Sequence, residues 1–77
     1  MNTQEIRWNR GARGEQHAFT PTHGLHIAKT ASGYIWVVDR ISEWPYSEAG
    51  RGTTRTLPAA KNQAEKVAAN DNKDKTR

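Results

Sequence analysis

The clearest pattern of apolar and polar positions lies between residues 24 and 41, where it predicts two strands. Residues 25–29 (LHIAK) are a candidate for a short strand. Residues 34–41 are β-branched and aromatic, a composition that favours a second strand. Gly33 suits the turn between them, because glycine reaches positive φ without a steric penalty. Together these positions predict a β-hairpin.

After residue 50 the pattern changes from a strand to a helix. Residues 51–57 include three threonines, which fit a pleated surface and predict a third strand. From Thr56, which suits an N-cap, one apolar stripe recurs at helical spacing: Ala60, Ala64, Val67 and Ala68. Asn70 is a suitable end for this helix. The predicted fold class is α+β, a three-stranded antiparallel sheet with one C-terminal helix in the order β-β-β-α, over residues 24–70.

Both ends of the chain are polar and basic, and they predict flexible segments. Residues 1–23 are rich in turn-forming residues and are interpreted as a flexible arm, in which the alternation at residues 5–9 leaves room for one short strand. Residues 71–77 contain no apolar side chain and predict a disordered tail. The net charge of +4 lies toward the two ends of the chain, because residues 15–58 are neutral and residues 1–14 and 59–77 each carry +2.

The second predicted strand is apolar on both faces. Ile35, Val37 and Ile41 share one side or nearly so, and the other side is formed by Tyr34, Trp36 and Val38. One alanine-rich helix covers only one face of a three-stranded sheet, and we expect it to pack on Ile35 and Val37. The other face then needs a second cover: either apolar residues of the N-terminal arm, or a partner or second copy of the chain. The residues predicted to contact such a partner are Tyr34, Trp36, Val38, Trp44 and Tyr46.

The central hairpin and the start of the helix resemble a group of small phage and prophage proteins. Residues 33–39 (GYIWVVD), followed after a turn-rich loop by residues 56–65 (TLPAAKNQAE), are similar to hairpin-plus-helix proteins over roughly residues 24–70. Among that group are anti-CRISPR proteins, which are non-enzymatic and dock on a Cas complex of the bacterial host. The resemblance implies a cytoplasmic phage or mobile-element protein that sterically inhibits a host defence complex, and it assigns no functional residue.

Two further resemblances point to nucleic acid as the alternative partner. Residues 50–56 and the following alanine-rich helix resemble the end of a double-stranded-RNA-binding domain. A three-stranded sheet with one helix also resembles the arm-binding domain of phage integrases, which lays its sheet in the major groove. In residues 7–14 (RWNRGARG), arginines are interleaved with glycine and an aromatic residue, a composition that can bind phosphates and stack on bases. The residues predicted for this alternative are Arg7, Trp8, Arg10, Arg13, Arg51 and Arg55.

No combination of side chains predicts catalysis, a cofactor or a metal. His23 and His26 have the spacing of two ligands, but there is no cysteine and no neighbouring carboxylate to complete a site. Asp39, Glu43 and Glu48 are the candidate acid–base carboxylates, although so small a core leaves little room for a water-excluded pocket. No apolar run approaches the roughly 20 residues that span a bilayer. We therefore expect a binding protein or a structural homodimer, with no membrane partner.

Overall fold

The computed structural model describes residues 6–42 and 44–75, the last four of these as backbone only. Its elements in chain order are β1 (Asn9–Arg10), a 3₁₀ turn (Ala12–Gly14), β2 (Gln16–Phe19), β3 (His23–Thr30), β4 (Gly33–Arg40), β5 (Ser47–Thr54) and α1 (Leu57–Lys75). The α+β class, with an antiparallel sheet and one C-terminal helix, is confirmed. The sheet has five strands in the described residues, where three were predicted.

The five strands form an antiparallel meander in which each strand pairs with its neighbours along the chain. The predicted hairpin is confirmed, since β3 and β4 pair over their full length, from His23 opposite Arg40 to Thr30 opposite Gly33. The reason for Gly33 differs from the prediction, because its φ is not positive. A Cβ atom at this position would collide with the carbonyl oxygen of Thr54 on β5. Gly33 therefore permits the close approach of β5 to the hairpin.

Residues outside the predicted domain extend the sheet and the helix. The segment expected to be a flexible arm supplies β1 and β2, and β2 buries Gln16 and Ala18 beside β3. The strand suggested for residues 5–9 is represented only by the first residue of β1, and residues 1–5 lie outside the described residues. The helix was predicted to end at Asn70 but continues to Lys75. Of the predicted disordered tail, residues 76 and 77 lie outside the described residues.

The helix packs on the sheet face opposite to the one predicted. Ala60, Ala64 and Ala68 are buried against a cluster that contains Trp36 (5% exposed) and Val38 (0%). The physical reason lies on β5, where Gly50 and Gly52 stand opposite Val38 and Trp36 and have no side chains under the helix. The space that they leave holds the Trp36 indole, whose Nε1 donates a hydrogen bond to Gln63 Oε1 of α1 at 3.0 Å. The remaining core residues on this face are Ala18, Leu25 and Ile27.

Candidate binding surface on the open sheet face

The sheet face turned away from α1, called the open face below, carries an apolar strip between polar borders. Successive strand residues alternate between faces, so the cross-strand register brings six side chains to the open face. They are His17 and Phe19 of β2, His26 and Ala28 of β3, and Ile35 and Val37 of β4. Phe19 is 60% exposed, and the other five are partly exposed. The strip therefore meets solvent in the monomer.

The N-terminal segment does not cover this strip in the described part of the chain. Ile6 and Trp8 pack instead against the buried cluster beneath α1. Trp8 Nε1 donates a hydrogen bond to Glu65 Oε2 of the helix at 2.8 Å, and Lys61 Nζ lies 5.8 Å from the Trp8 ring centroid. The N-terminal arm was one of the two covers considered for the face of Tyr34, Trp36 and Val38, and Ile6 and Trp8 do pack against the core residues of that face.

A shallow groove of about 310 Å³ runs along the open face. Its apolar lining is formed by Ala28, Ile35 and Val37, while His17, His26 and Glu15 form the polar lining. Grooves with an apolar floor and a few polar groups are the usual form of a binding surface. The apolar lining can bury an apolar side chain of a partner, and the polar lining can form hydrogen bonds with polar groups of the partner beside it.

His17 and His26 stand directly opposite each other on β2 and β3 and are in contact. Their Nδ1 atoms share a hydrogen bond of 3.0 Å, in which one ring donates its N–H to the other, and the rings meet edge to face with centroids 5.3 Å apart. Each Nε2 atom faces a carboxylate: His17 lies 3.6 Å from Glu15 Oε1, and His26 lies 3.8 Å from Asp39 Oδ2. The result is a line of four polar groups across the open face, carboxylate–imidazole–imidazole–carboxylate.

The β5 border of the open face carries an ion pair rather than a free cation. Arg51, opposite Val37, donates from NH2 to Glu48 Oε1 at 2.8 Å. The hydrogen bond from Arg51 holds the pKa of the Glu48 carboxyl below its usual value, and the same bond raises the pKa of Arg51. Both groups are exposed, so the pair adds little to stability. It does leave Arg51, predicted as a phosphate contact, already neutralised.

The five residues predicted for partner binding are divided by the structure. Trp36 and Val38 are core residues under α1, and Tyr34 is partly buried against the same cluster. The face assignment that placed them at a partner surface is therefore wrong, and the exposed face is that of Ile35 and Val37. Trp44 and Tyr46 are 83% and 58% exposed on the loop after β4. Their rings meet edge to face at 5.2 Å and offer an aromatic pair to solvent.

The residues predicted for nucleic-acid binding are also divided. Arg7, Arg10 and Arg13 are exposed on the N-terminal segment, and Arg55 is exposed just before α1. Arg51 is neutralised as described above, and Trp8 is held against α1 by its bond to Glu65, so its face is not presented to a base. Of the six predicted residues, only Arg7, Arg10, Arg13 and Arg55 have an exposed charge and no ion pair among the described residues.

Sequence reasoning missed a polar cluster that fastens α1 to the sheet. His23 is 1% exposed, and its Nε2 lies 2.7 Å from Asp71 Oδ2. Arg40 donates to both carboxylate oxygens of Asp71, from NH2 at 2.9 Å and from Nε at 3.0 Å. The bonds from Arg40 and then from His23 lower the pKa of Asp71, against an opposing effect of burial. Asp71 lies 48 residues from His23 in the chain, so no local pattern pointed to this contact.

The structure also shows how the candidate metal ligands and acid–base groups are arranged. His23 and His26 are three residues apart on one strand, so they point to opposite faces and do not form a pair of ligands. Thr22 Oγ1, His23 and Asp71 form a hydroxyl–imidazole–carboxylate series. However, the His23 side chain is enclosed, and Arg40 occupies the carboxylate. Among the other candidates, Glu43 lies outside the described residues.

Comparison with known proteins leaves the assignment to the geometry. No family model, no curated protein and no solved structure matches the chain. Within residues 6–42 and 44–75, no helix has both the length and the apolar character to cross a membrane. The open face, its groove and the exposed Trp44–Tyr46 pair are consequently the features from which a function is inferred.

Proposed function

We propose that the chain is a non-enzymatic protein-binding module that docks through its open face and sterically inhibits a host defence complex. The observation that carries docking is the apolar groove of Ala28, Ile35 and Val37, which no described element of the chain covers. Support for a defence complex as the target comes from the resemblance of residues 33–39 and 56–65 to a group of small phage and prophage proteins that includes anti-CRISPR proteins. The mechanism is occlusion, in which the bound chain fills a surface that the complex needs.

The charges around the open face favour a protein surface over a phosphate backbone. Glu15, Asp39 and Glu48 border this face, whereas Arg51 is the cation paired there. Phosphate contacts dominate nucleic-acid affinity, so carboxylates along the contact surface oppose them. A protein surface with its own polar rim accommodates such mixed charges.

The contact residues are of the kind that dominates protein interfaces. Burial of apolar surface contributes roughly 25 cal/mol per Å², and a few anchors carry most of the binding energy. Phe19 on the open face is 60% exposed, and Trp44 at 83% exposed is the largest exposed apolar side chain. Steric inhibition requires no chemical reaction, only an interface that stays bound.

A plaque assay tests this function directly. Phage is plated on bacteria with active CRISPR–Cas immunity that express the chain, its Val37→Asp variant or the matched control Asn62→Asp. Val37 lies in the groove, whereas Asn62 is exposed on α1, on the other side of the molecule. Far-UV circular dichroism establishes that both variants are folded. We expect restored plaquing with the wild type and with Asn62→Asp, and loss of plaquing with Val37→Asp.

Two results would count against this function. If the wild type restores plaquing against none of a panel of Cas types, the inhibitor role is rejected. If a folded Val37→Asp variant inhibits as well as the wild type, the open face is not the docking surface.

Nucleic-acid binding is a second candidate, favoured by one specific observation. Arg7, Arg10, Arg13 and Arg55 are exposed and have no ion pair among the described residues. Substituting the first three with alanine should lower the salt dependence of binding to duplex DNA, by a slope of roughly one per lost phosphate contact. Arg51→Ala is the matched control, since Glu48 already neutralises Arg51. No complex at low salt in a gel shift would reject this candidate.

A further inference from the structure

We propose that His17 and His26 form a two-histidine site for a divalent ion of copper or nickel on the open face. The proposal does not rest on the docking function, although both histidines also line the groove, and it differs from the predicted His23–His26 pair. Imidazole nitrogen is a preferred ligand for these ions, and affinity rises along the series to nickel and copper. The two residues are directly opposite on β2 and β3, so the sheet itself fixes their separation.

The distance between the ligand atoms indicates which coordination geometry fits. The Nδ1 atoms are 3.0 Å apart. With metal–nitrogen bonds near 2.0–2.1 Å, nitrogens at that separation subtend an angle of roughly 95° at the metal. Adjacent ligands in square-planar or tetragonal sites stand close to a right angle, whereas tetrahedral zinc needs a wider one. The pair therefore fits tetragonal copper or nickel better than tetrahedral zinc, without a change in strand register.

A carboxylate lies within ion-pair distance of Nε2 on the far side of each ring. Glu15 Oε1 lies 3.6 Å from His17 Nε2, and Asp39 Oδ2 lies 3.8 Å from His26 Nε2. The hydrogen bond between the rings places a proton on one Nδ1, so metal binding requires that ring to change to the tautomer with its proton on Nε2, which the nearby carboxylate favours electrostatically. The two negative charges also favour a cation between the rings.

The rest of the coordination shell is open. Both imidazole side chains are 38% exposed to solvent, so water can reach a metal between them. The described residues contain no group of three or more side chains placed to hold a metal, so the chain supplies two ligands and water completes the shell. Such a site binds weakly and exchanges its other ligands readily.

Titration of the untagged full chain with Cu²⁺ and Ni²⁺, followed by calorimetry, tests the proposal. We expect one ion per chain, and a loss of affinity of about tenfold or more in either His17→Gln or His26→Gln. Glu15→Gln keeps both ligands and removes one nearby negative charge, so it should weaken binding less than either histidine change does, at the same stoichiometry. Asn62→Gln, an exposed change on α1, is the matched control and should bind as the wild type does.

A measurement on the wild type makes the test independent of variant folding. Cu²⁺ added at substoichiometric amounts should broaden the NMR signals of His17, His26 and neighbouring Phe19 and Val37, and its EPR spectrum should report two nitrogen ligands. Broadening elsewhere, or equal affinity in wild type and both histidine variants, would overturn the proposal and leave only adventitious binding.

Discussion

Replacing Gly52 with alanine tests whether the packing of Trp36 on β5 sets the position of the helix. A Cβ atom at residue 52 would lie 2.8 Å from Cζ2 and 2.9 Å from Cε2 and Nε1 of the Trp36 indole. The indole is a rigid ring, 5% exposed, and its nitrogen is bonded to Gln63 of α1. It therefore has to shift as a whole, and the helix contact shifts with it.

The magnitude follows from two opposing effects. Overpacking of a well-packed core costs about 1–3 kcal/mol of unfolding free energy. The backbone at Gly52 is not in the left-handed region, so alanine is tolerated there and stabilises by about 0.4–1 kcal/mol through the unfolded chain. The expected net loss is about 1–2 kcal/mol, which corresponds to a fall in Tm of roughly 5–15 °C for a domain of this size.

Urea unfolding followed by far-UV circular dichroism measures this loss, with Thr53→Ala as the matched control. Thr53 is the next residue, exposed on the open face, and its change should cost less than about 0.5 kcal/mol. In a Trp36→Phe background, whose smaller ring frees the space, Gly52→Ala should cost much less than in the wild type. A Gly52→Ala protein as stable as the wild type, or one whose cost is the same in both backgrounds, would refute this account of the core.

Three further outcomes follow from the structure. Asp71→Asn should destabilise the protein at pH 7, because Arg40 holds the folded-state pKa of Asp71 below its usual value of 3.8. Asp71 therefore stabilises the fold above that pH, and its advantage over Asp71→Asn in urea unfolding should vanish as the pH falls through and below it. Ala64→Leu should cost about 1–3 kcal/mol by overpacking under α1, measured by thermal unfolding. Trp44→Ala should change Tm by little, since the side chain is 83% exposed, and an effect above about 1 kcal/mol would show a missed contact.

The elements with strong local signals were predictable from the sequence, and the others were not. The hairpin was predictable, because residues 34–41 favour a strand and Gly33 marks its turn. The strand β2 was not, since Gln16–Phe19 lacks an apolar alternation, and β1 begins only at Asn9, the last residue of the alternation at residues 5–9. β2 depends on pairing with β3 and on the burial of Gln16 and Ala18, and β1 depends on pairing with β2.

The end of α1 was missed for a related reason. A polar run after Asn70 is typical of a frayed or disordered end, and helix propensity alone gives no reason to continue it. In the folded chain Asp71 lies over β3 and β4, where Arg40 and His23 bind its carboxylate. A tertiary contact thus adds a turn of helix that no local pattern indicates.

The sheet face on which the helix packs could, in contrast, have been inferred from the residues of β5. A strand that is apolar on both faces does not show which face is buried, but its cross-strand neighbours do. Gly50 and Gly52 open space beside Val38 and Trp36, while Arg51 and Thr53 put polar groups beside Val37 and Ile35. A helix over the second pair would bury the charges of Arg51 and Glu48, which costs more than their attraction returns. The same polar border that excludes α1 keeps the Ile35–Val37 strip open, so any partner there must leave that ion pair hydrated at the rim or match its charges.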